Sequence, residues 1–343
     1  MAGPAAAADH AGRLTELLTM AGSEPDTDSA FPAAEGTRLA WEAVPASVRS
    51  ALEERLGSPV AEAVVQPGGF SPGTAARLRL ADGRRVFVKA VGSSPNADSP
   101  TFHRNEARIA AAMPRGAPVP RFLLTYDDGD WVALAFEDVD GRHPEVPWRQ
   151  EELDRVLAAV GDLVESLTPA PVQAPPVGEY FNDQFRGWRE LAAGQAEPEW
   201  LDPWAMSNLD RLAALEGGWP DAAAGETLLH GDLRADNILV TPARVLFVDW
   251  PHACVGAGWV DLTFMLPSVA MQRGPKPWEL FDRHPFGRSA PPDRVDAVVA
   301  AVAGFFVWRG SLPPPPGLPG VRAFQRAQGT HALAWLRHRV DRP

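Results

Sequence analysis

The sequence predicts an α+β protein with two lobes: a small N-terminal lobe built on an antiparallel sheet and a larger, mainly helical C-terminal lobe. Two observations lead to this fold class. Short alternating or β-branched segments separated by tight turns fill residues 61–136, as in an antiparallel meander. Segments with apolar residues at helical spacing dominate the rest of the chain. Because ligands favour the crevice between two such lobes, we expect the functional site there.

Three segments are expected along the chain: an N-terminal helical extension at 1–58, the N-lobe at 59–139 and the C-lobe at 140–343. Apolar faces around Leu14 and over Val44–Leu56 predict helices in the extension. The N-lobe is expected to contain a helix at 101–113 and strands at 61–66, 75–80, 85–91, 120–126 and 131–136. The C-lobe is expected to contain helices at 151–167, 181–194 and 203–215, and strands at 226–229, 238–241 and 245–249.

Composition excludes several classes of protein. The 343 residues carry a net charge of 32 − 44 = −12, which argues against a broad basic surface for nucleic acid. No apolar run is long enough for a membrane span, and the first ten residues lack the basic start of a secretory signal. Cys254 is the single cysteine, which excludes an internal disulfide framework. We therefore expect a cytoplasmic protein.

The strongest chemical signal lies in Leu228–Val240, where apolar strand residues flank a polar loop. A hairpin then leads to Asp249, which ends a buried strand. Three side chains with oxygen ligands, Asp232, Asn237 and Asp249, are thereby expected at one end of the same small sheet. Oxygen ligands suit Mg²⁺, which binds phosphate with one or two carboxylates. The pattern favours phosphoryl transfer.

This motif, His230-Gly-Asp232-Leu-x-x-x-Asn237 followed by Val248-Asp-Trp250, resembles that of the aminoglycoside phosphotransferase and choline-kinase-like family. The resemblance covers residues 60–340. It implies the protein-kinase-like fold, with nucleotide bound by the N-lobe and substrate by the C-lobe. It also implies a kinase that uses ATP and Mg²⁺ to phosphorylate a hydroxyl group of a small molecule.

The resemblance also implies roles for individual residues. Asp232 would orient or deprotonate the substrate hydroxyl. Asn237 and Asp249 would hold Mg²⁺. His230 would pack and hydrogen-bond within the catalytic loop, and Asp261 would brace that loop.

Lys89, one of only two lysines in the chain, offers an independent check. It lies in a strand with apolar neighbours on both faces, where a lysine is costly to bury without an anion. The apolar stripe of helix 101–113 turns Glu106 toward the core, where an unpaired carboxylate is equally costly. We expect the two to pair, which is similar to the kinase pair that holds the phosphates of ATP. The alternative is a lysine on an edge strand and a solvated glutamate.

Two further segments are candidates for contacting the nucleotide. Small residues between the first two strands let backbone amides approach phosphate, although an ordinary turn fits equally well. The candidates there are Gly69, Ser71 and Gly73. By resemblance, the junction between the lobes would hold the adenine edge through its backbone. The candidates there are Phe136, Glu137 and Val139, with Glu137 and Asp138 alternatively being solvated acids.

The substrate itself is less well defined. Arg234 lies two residues after Asp232, where a cation either meets the transferring phosphoryl group or forms a salt bridge with Asp236. The acidic net charge favours a cationic substrate such as an aminoglycoside, so antibiotic resistance is one candidate role; amino alcohols and sugars remain open. Candidates for the walls of the substrate site are Trp188, Trp259, Trp278 and Trp335.

Two other functions fit parts of this pattern. A metal-dependent hydrolase would hold two metal ions on His230, Asp232, Asp249 and His252. The Lys89–Glu106 pair has no role in that function. A non-catalytic kinase-like module would bind nucleotide without transferring phosphate. The sequence leaves the oligomeric state open.

Overall fold

The structure, a computed structural model, describes residues 38–67, 73–94, 96–194, 201–314 and 320–341. Across these ranges it confirms the predicted fold class, with an antiparallel sheet in the N-terminal part and a mainly helical C-terminal part. The helix expected around Leu14 lies outside these ranges, as do Gly69 and Ser71. None of the described helices is both long enough and apolar enough to cross a membrane.

The N-terminal part consists of one five-stranded sheet with a helix on each face. Its elements are α1 (Ala46–Leu56), β1 (Val60–Val65), β2 (Thr74–Leu80), β3 (Arg85–Gly92), α2 (Ser99–Ala111), β4 (Phe122–Asp127) and β5 (Trp131–Glu137). The strands pair in the order β1-β2-β3-β5-β4, and every neighbouring pair is antiparallel. The strands predicted from alternation are therefore all present, with ends that differ by one or two residues.

The helix α1 covers one face of this sheet. Val48 and Leu52 of α1 are fully buried against alternate residues of the strands, such as Leu78 and Val88. Because side chains alternate between the two faces of a strand, this register turns Lys89 to the opposite face, toward α2 and the C-lobe. Packing of α1 thus determines which residues of β3 face the cleft.

The C-terminal part is built from helices around two short strand pairs. Its helices are α3 (Gln150–Ser166), α4 (Val177–Tyr180), α5 (Gly187–Ala192), α6 (Pro203–Ser207), α7 (Leu209–Gly217), α8 (Trp219–Ala222), α9 (Val260–Met271), α10 (Pro277–Arg283), α11 (Pro285–Ser289), α12 (Pro292–Ser311) and α13 (Val321–Val340). Its strands are β6 (Thr227–Leu229), β7 (Ile238–Val240), β8 (Val245–Phe247) and β9 (Cys254–Gly256). β6 pairs with β9, and β7 forms a hairpin with β8.

Three features of this lobe differ from the sequence-based expectation, the first being that the helix expected at 203–215 is divided into α6 and α7. The strand β9 was not predicted, because three residues are too few to show an alternating pattern. The single helix expected at 181–194 is instead a turn that follows α4 and leads into the short α5. Phe181 and Phe185, which come from that turn, stack on each other with ring centroids 5.5 Å apart.

Helix α5 packs tightly against α12 through two glycines. A Cβ atom on Gly187 would lie 1.8 Å from the backbone oxygen of Gly304. At the same contact, the indole nitrogen of Trp188 donates a hydrogen bond to Ala300 O at 2.8 Å. The buried Glu216 accepts hydrogen bonds from the backbone nitrogens of Trp188 and the next residue, both at 3.0 Å. The close approach of these helices therefore depends on the missing side chain.

We expect Gly187→Ala to lower the free energy of unfolding by roughly 1–3 kcal/mol, because the added methyl group meets backbone that cannot yield without moving a helix. Gly217→Ala is the matched control. Its Cβ would meet nothing within 4 Å, so it should be neutral or stabilise by up to about 1 kcal/mol. Urea unfolding of both variants measures the difference, and equal stabilities would contradict the packing argument.

Candidate active site

Lys89 joins three elements at the centre of the cleft. Its Nζ atom donates to Glu106 Oε1 of α2 at 2.7 Å and to Asp249 Oδ1, just after β8, at 2.6 Å. The Lys89 and Glu106 side chains are 15% and 3% exposed, whereas that of Asp249 is 47% exposed. The expected pair of Lys89 and Glu106 is therefore present, and a third partner links it to the C-lobe.

The charges in this cluster stabilise one another. Burial alone would lower the pKa of Lys89, but Asp249 and Glu106 raise that pKa above its ordinary value. Burial would raise the pKa of Asp249, yet the Lys89 ammonium holds it well below its usual range. Burial raises the pKa of Glu106 against the attraction of Lys89. Lys89 is therefore a fixed cation at neutral pH, with the half-exposed Asp249 carboxylate beside it.

The loop after β8 has the backbone needed to present Asp249 to the cleft. Asp249 has φ +71°, in the left-handed region that few residues other than glycine and asparagine adopt. Helix α2 holds the following residues: Asn105 Nδ2 donates to Pro251 O at 2.6 Å, and Glu106 accepts a hydrogen bond from the backbone nitrogen of Trp250. These contacts support the strained residue from its C-terminal side.

The catalytic loop runs from β6 to β7 and includes a short 3₁₀ turn at Ala235–Asn237. Asp261 of α9 holds its start by accepting hydrogen bonds from the backbone nitrogens of His230 at 2.6 Å and Gly231 at 2.9 Å. This confirms the predicted bracing role of Asp261, whose pKa burial raises to about 6. Gly231 has φ +80°, and a Cβ atom there would lie 2.6 Å from His252 O, so the position requires glycine.

His230 orders the interior of this loop. Its Nε2 atom lies 2.8 Å from Val248 O, and the backbone nitrogen of Asp232 lies 3.2 Å from its Nδ1 atom. Burial lowers the pKa of His230 to about 4, so the ring is neutral, with Nε2 as donor and Nδ1 as acceptor. His230 thus packs and hydrogen-bonds, as predicted, and positions both Asp232 and the residue before Asp249.

Asp232 lies at the mouth of the loop with a 23% exposed side chain. The amide nitrogen of Asn237 donates to Asp232 O at 2.8 Å and lies 3.4 Å from its carboxylate. Burial, reinforced by the negative charges of Asp236 and Asp249, raises the pKa of Asp232 to about 7 despite the nearby Arg234. A carboxylate with this pKa exchanges protons near neutrality, which suits a general base.

Arg234 adopts the salt bridge that the sequence left open. Its Nε and Nη2 atoms donate to the two oxygens of Asp236 at 3.1 and 2.9 Å, and its Nη1 atom lies 3.4 Å from Asp232 Oδ1. The Arg234 side chain is 13% exposed, at the edge of the same cleft. The salt bridge with Asp236 is therefore present, and contact of Arg234 with a transferring phosphoryl group stays a prediction.

Asn237 and Asp249 are linked through the backbone of the β7–β8 hairpin. Val248 N donates to Asn237 O at 2.9 Å, which fixes one position relative to the other. The Asn237 amide nitrogen is used within the loop, so its Oδ1 atom is the one available to a cation. No group of three or more His, Cys, Asp or Glu side chains suited to a metal occurs among the described residues. A metal here would therefore take only a few protein ligands and complete its shell with phosphate and water, as Mg²⁺ does.

Of the other predicted nucleotide contacts, Gly73 and the junction at 136–139 lie within the described residues. Gly73 packs against β3, and its carbonyl oxygen accepts a hydrogen bond from Leu39 N at 3.2 Å. At the junction between the lobes, the ring of Phe136 packs edge-on against Phe122, and Glu137 pairs with Arg244 at 3.0 Å.

The backbone at the junction between the lobes also accepts a hydrogen bond from a side chain of the sheet. Val139 O accepts a hydrogen bond from Arg77 Nη2 at 3.0 Å. The Asp138 side chain is only 2% exposed and pairs with Arg85 at 2.6 Å, so it is not the solvated acid considered from sequence. These side chains fix the junction, and its nucleotide contacts remain a prediction.

Sequence reasoning missed Arg38, which approaches the cluster from the segment before α1. The adjoining Leu39 is held by Gly73 O and by a 2.7 Å hydrogen bond from the Thr74 hydroxyl. Burial lowers the pKa of Arg38, and the charge of Asp249 opposes that shift. Only the pairing of this segment with the start of β2 brings Arg38 to the site, and no local pattern predicts that pairing.

A cavity of about 100 Å³ opens beside Asp232 on the C-lobe side. Its described aromatic lining consists of Phe181, Phe185, Phe264, Phe305, Phe306 and Phe324. The tryptophans predicted for this role lie elsewhere. Trp188, Trp259 and Trp335 are buried in the core, and Trp278 stacks on His338 with ring centroids 4.4 Å apart.

Solved structures share this fold. Aminoglycoside phosphotransferase APH(4)-Ia in complex with AMP-PNP and hygromycin B is 16% identical, with a TM-score of 0.56 over 85% of this chain and 98% of that one. Choline kinase LicA from Streptococcus pneumoniae is 13% identical, with a TM-score of 0.54 over 84% and 100% of the two chains. Amicoumacin kinase hAmiN, in complex with AMP-PNP, Ca²⁺ and Ami, is 11% identical, with a TM-score of 0.53 over 83% and 93%. At these identities the likeness shows the fold.

A search of curated proteins found no match to the sequence. The sequence model of one family, described as the phosphotransferase enzyme family, matches residues 67–338. That span contains the whole cluster around Lys89, the catalytic loop and the cavity beside Asp232. The chain belongs to the phosphotransferase enzyme family.

Proposed function

We propose that this protein is a kinase that transfers the γ-phosphoryl group of ATP to a hydroxyl group of a small molecule. The contact of Lys89 Nζ with both Glu106 and Asp249 carries the proposal, because it places a fixed cation and a half-exposed carboxylate together between the lobes. Structural relatives that contain AMP-PNP, one of them together with Ca²⁺, support the use of a nucleotide and a divalent metal.

Asp232 is the proposed base. Its carboxylate would accept the proton of the substrate hydroxyl as that oxygen attacks the γ-phosphorus, while the bond from phosphorus to the ADP oxygen breaks. The Asn237 amide holds the main chain of Asp232, and Arg234 contacts its carboxylate, so the carboxylate is fixed before substrate binds. Lys89 and Arg234 would offset negative charge on the transferring group.

Asn237 and Asp249 are the proposed ligands of Mg²⁺. The metal would neutralise charge on the phosphates of ATP. The low pKa of Asp249 keeps its carboxylate ionised and ready to bind a cation. We further propose that backbone of Gly69, Ser71 and Gly73 contacts the phosphates, and that the Phe136–Val139 backbone contacts the adenine edge.

The rival functions have less support. His230 uses both ring nitrogens within the loop, and His252 Nδ1 lies 3.0 Å from the Tyr180 hydroxyl. His230 therefore has no nitrogen left for a metal, and the described residues contain no group of three or more His, Cys, Asp or Glu side chains suited to one. A non-catalytic module has no need for a base whose pKa is near 7. The cytoplasmic location also stays a prediction, in keeping with a single cysteine that is buried and free.

Asp232→Asn should reduce phosphoryl transfer by roughly 100- to 10,000-fold while leaving nucleotide affinity nearly unchanged, because only the base is lost.

In the unmodified protein, kcat/KM for the acceptor should fall as pH drops below about 7, since Asp232 must be ionised to act. ADP release at several pH values measures both effects. Asp183→Asn, at an exposed position, is the control; full activity of Asp232→Asn would contradict the assignment.

Lys89→Met should lower kcat/KM for ATP by at least about 100-fold, because the cation that contacts Glu106 and Asp249 is lost. The second lysine, Lys276, is exposed and provides a matched control. Lys276→Met should leave ATP use unchanged. Steady-state kinetics with circular dichroism as a folding check distinguishes the two, and equal losses would count against a specific role for Lys89.

Asp249→Asn should raise the Mg²⁺ concentration needed for half-maximal ADP release by at least about tenfold, because a neutral amide is a weaker ligand than a carboxylate. The titration uses saturating ATP and compares Asp183→Asn under the same conditions. An unchanged Mg²⁺ dependence in an active Asp249→Asn variant would refute the ligand role.

A further inference from the structure

The cavity beside Asp232 is strongly apolar. Besides its phenylalanines, the described lining includes Leu233, Val302 and Val321. Its residues come from the catalytic loop, the turn after α4, and helices α9, α12 and α13. Because it begins at Asp232, a molecule placed in it can present a hydroxyl group to the proposed base.

The charge of the lining does not suit a cation. Among the described residues that form it, Asp232 is the one carboxylate, and its Oδ1 atom already lies 3.4 Å from Arg234 Nη1. Arg234 adds a positive charge at the same edge. Burial lowers the pKa of His252 to about 4, so this ring is neutral. An ammonium group would therefore lose its hydration and gain no dedicated anion.

The aromatic rings of the cavity do not replace the missing anion as a partner for an ammonium group. Cation–π attraction is strongest over tryptophan and weaker over phenylalanine. Every aromatic carbocyclic ring in the described lining is a phenylalanine, and the candidate tryptophans are absent from it. The rings are thus suited to an apolar body, which gains from burial without needing a charge partner.

Three glutamines, Gln184, Gln325 and Gln328, are the amide side chains in the described lining, and Gln184 has an unpaired amide nitrogen. Gln184 lines the cavity with a side chain that is 3% exposed, and its Nε2 atom has no hydrogen-bond partner among the described residues. A buried amide N–H without a partner is destabilising, and a ligand with a neutral acceptor group can satisfy it. An amide dipole pairs with a carbonyl, ether or hydroxyl group but does not neutralise an ammonium.

Size restricts the occupant further. An apolar cavity of roughly 150 Å³ holds benzene. The cavity beside Asp232 measures about 100 Å³, so the part of the acceptor that enters it is a branched alkyl group or a small ring rather than a multi-ring sugar.

We infer that the acceptor is an uncharged alcohol with a compact apolar body, and that the cavity selects against quaternary and polycationic alcohols. This inference rests on the proposed kinase function. It replaces the cationic substrate favoured by net charge, because Asp232 is the one acidic residue among the described residues that line the cavity. The transfer itself is unchanged: the alcohol oxygen bonds to the γ-phosphorus, ADP leaves, and Asp232 takes the proton.

Two alcohols of equal shape test the inference. Choline and 3,3-dimethylbutan-1-ol differ only in the central atom of the trimethyl group, nitrogen with a positive charge or neutral carbon. With Mg²⁺-ATP, we expect kcat/KM for phosphate ester formation to be at least tenfold higher for the neutral alcohol, measured by phosphorus NMR. Hygromycin B, a large polycation, should not be phosphorylated.

Other outcomes separate the inference from the proposed function. Equal use of both alcohols, preference for choline, or phosphorylation of hygromycin B alone would overturn the inference while leaving the kinase function intact. ADP release that depends on Asp232 but yields neither ester would overturn it as well. Absence of any ADP release dependent on Asp232, with every acceptor and with water, would contradict the kinase function itself.

A charge placed in the cavity gives a second, internal test. Gln184→Glu keeps the shape of the side chain and adds a carboxylate, so it should shift the ratio of kcat/KM at least tenfold toward choline. Gln173→Glu makes the same change at an exposed position outside the cavity and should leave the ratio as in the unmodified protein. A folded Gln184→Glu variant with an unchanged ratio would overturn the inference.

Discussion

A buried ammonium group at the boundary of the lobes sets the main constraint on this structure. Lys89 is held on β3 by the sheet register, and each of its two carboxylate partners comes from a different element. Removing Lys89 would leave the buried Glu106 carboxylate without its cation, at a cost of roughly 3–5 kcal/mol. The relative positions of β3, α2 and the loop after β8 are therefore coupled, and the cleft forms where they meet.

The predicted catalytic loop depends on a different interaction, namely hydrogen bonds to the polar groups of its own backbone. Asp261 and His230 occupy the polar groups of the loop interior and are themselves buried. This leaves the Asp249 side chain half exposed and the Asp232 side chain partly exposed at the cleft, where their charges can act on a ligand. The side of the loop toward α12 and α13 is lined by phenylalanine rings.

Local patterns were sufficient to predict the sheet, the catalytic loop and the contact of Lys89 with Glu106, because strand alternation and helical spacing fix those side chains. They were insufficient for Arg38, which depends on a backbone pairing with β2, and for Gln184, which lies in a turn that the pattern described as helix. The prediction that tryptophans line the substrate site was wrong for a related reason. A large apolar ring fits a core as well as a pocket, and the packing of α5 against α12 shows that Trp188 belongs to the core.

The scarcity of lysine has a practical consequence for chemical labelling. Acylating reagents attack neutral amines, and the two carboxylates that raise the pKa of Lys89 keep its amine protonated and shielded. Lys276, exposed between two prolines, is the other lysine of the chain. A fluorophore or surface tether coupled through a lysine side chain would therefore attach at one defined point outside the cleft, without any cysteine being introduced.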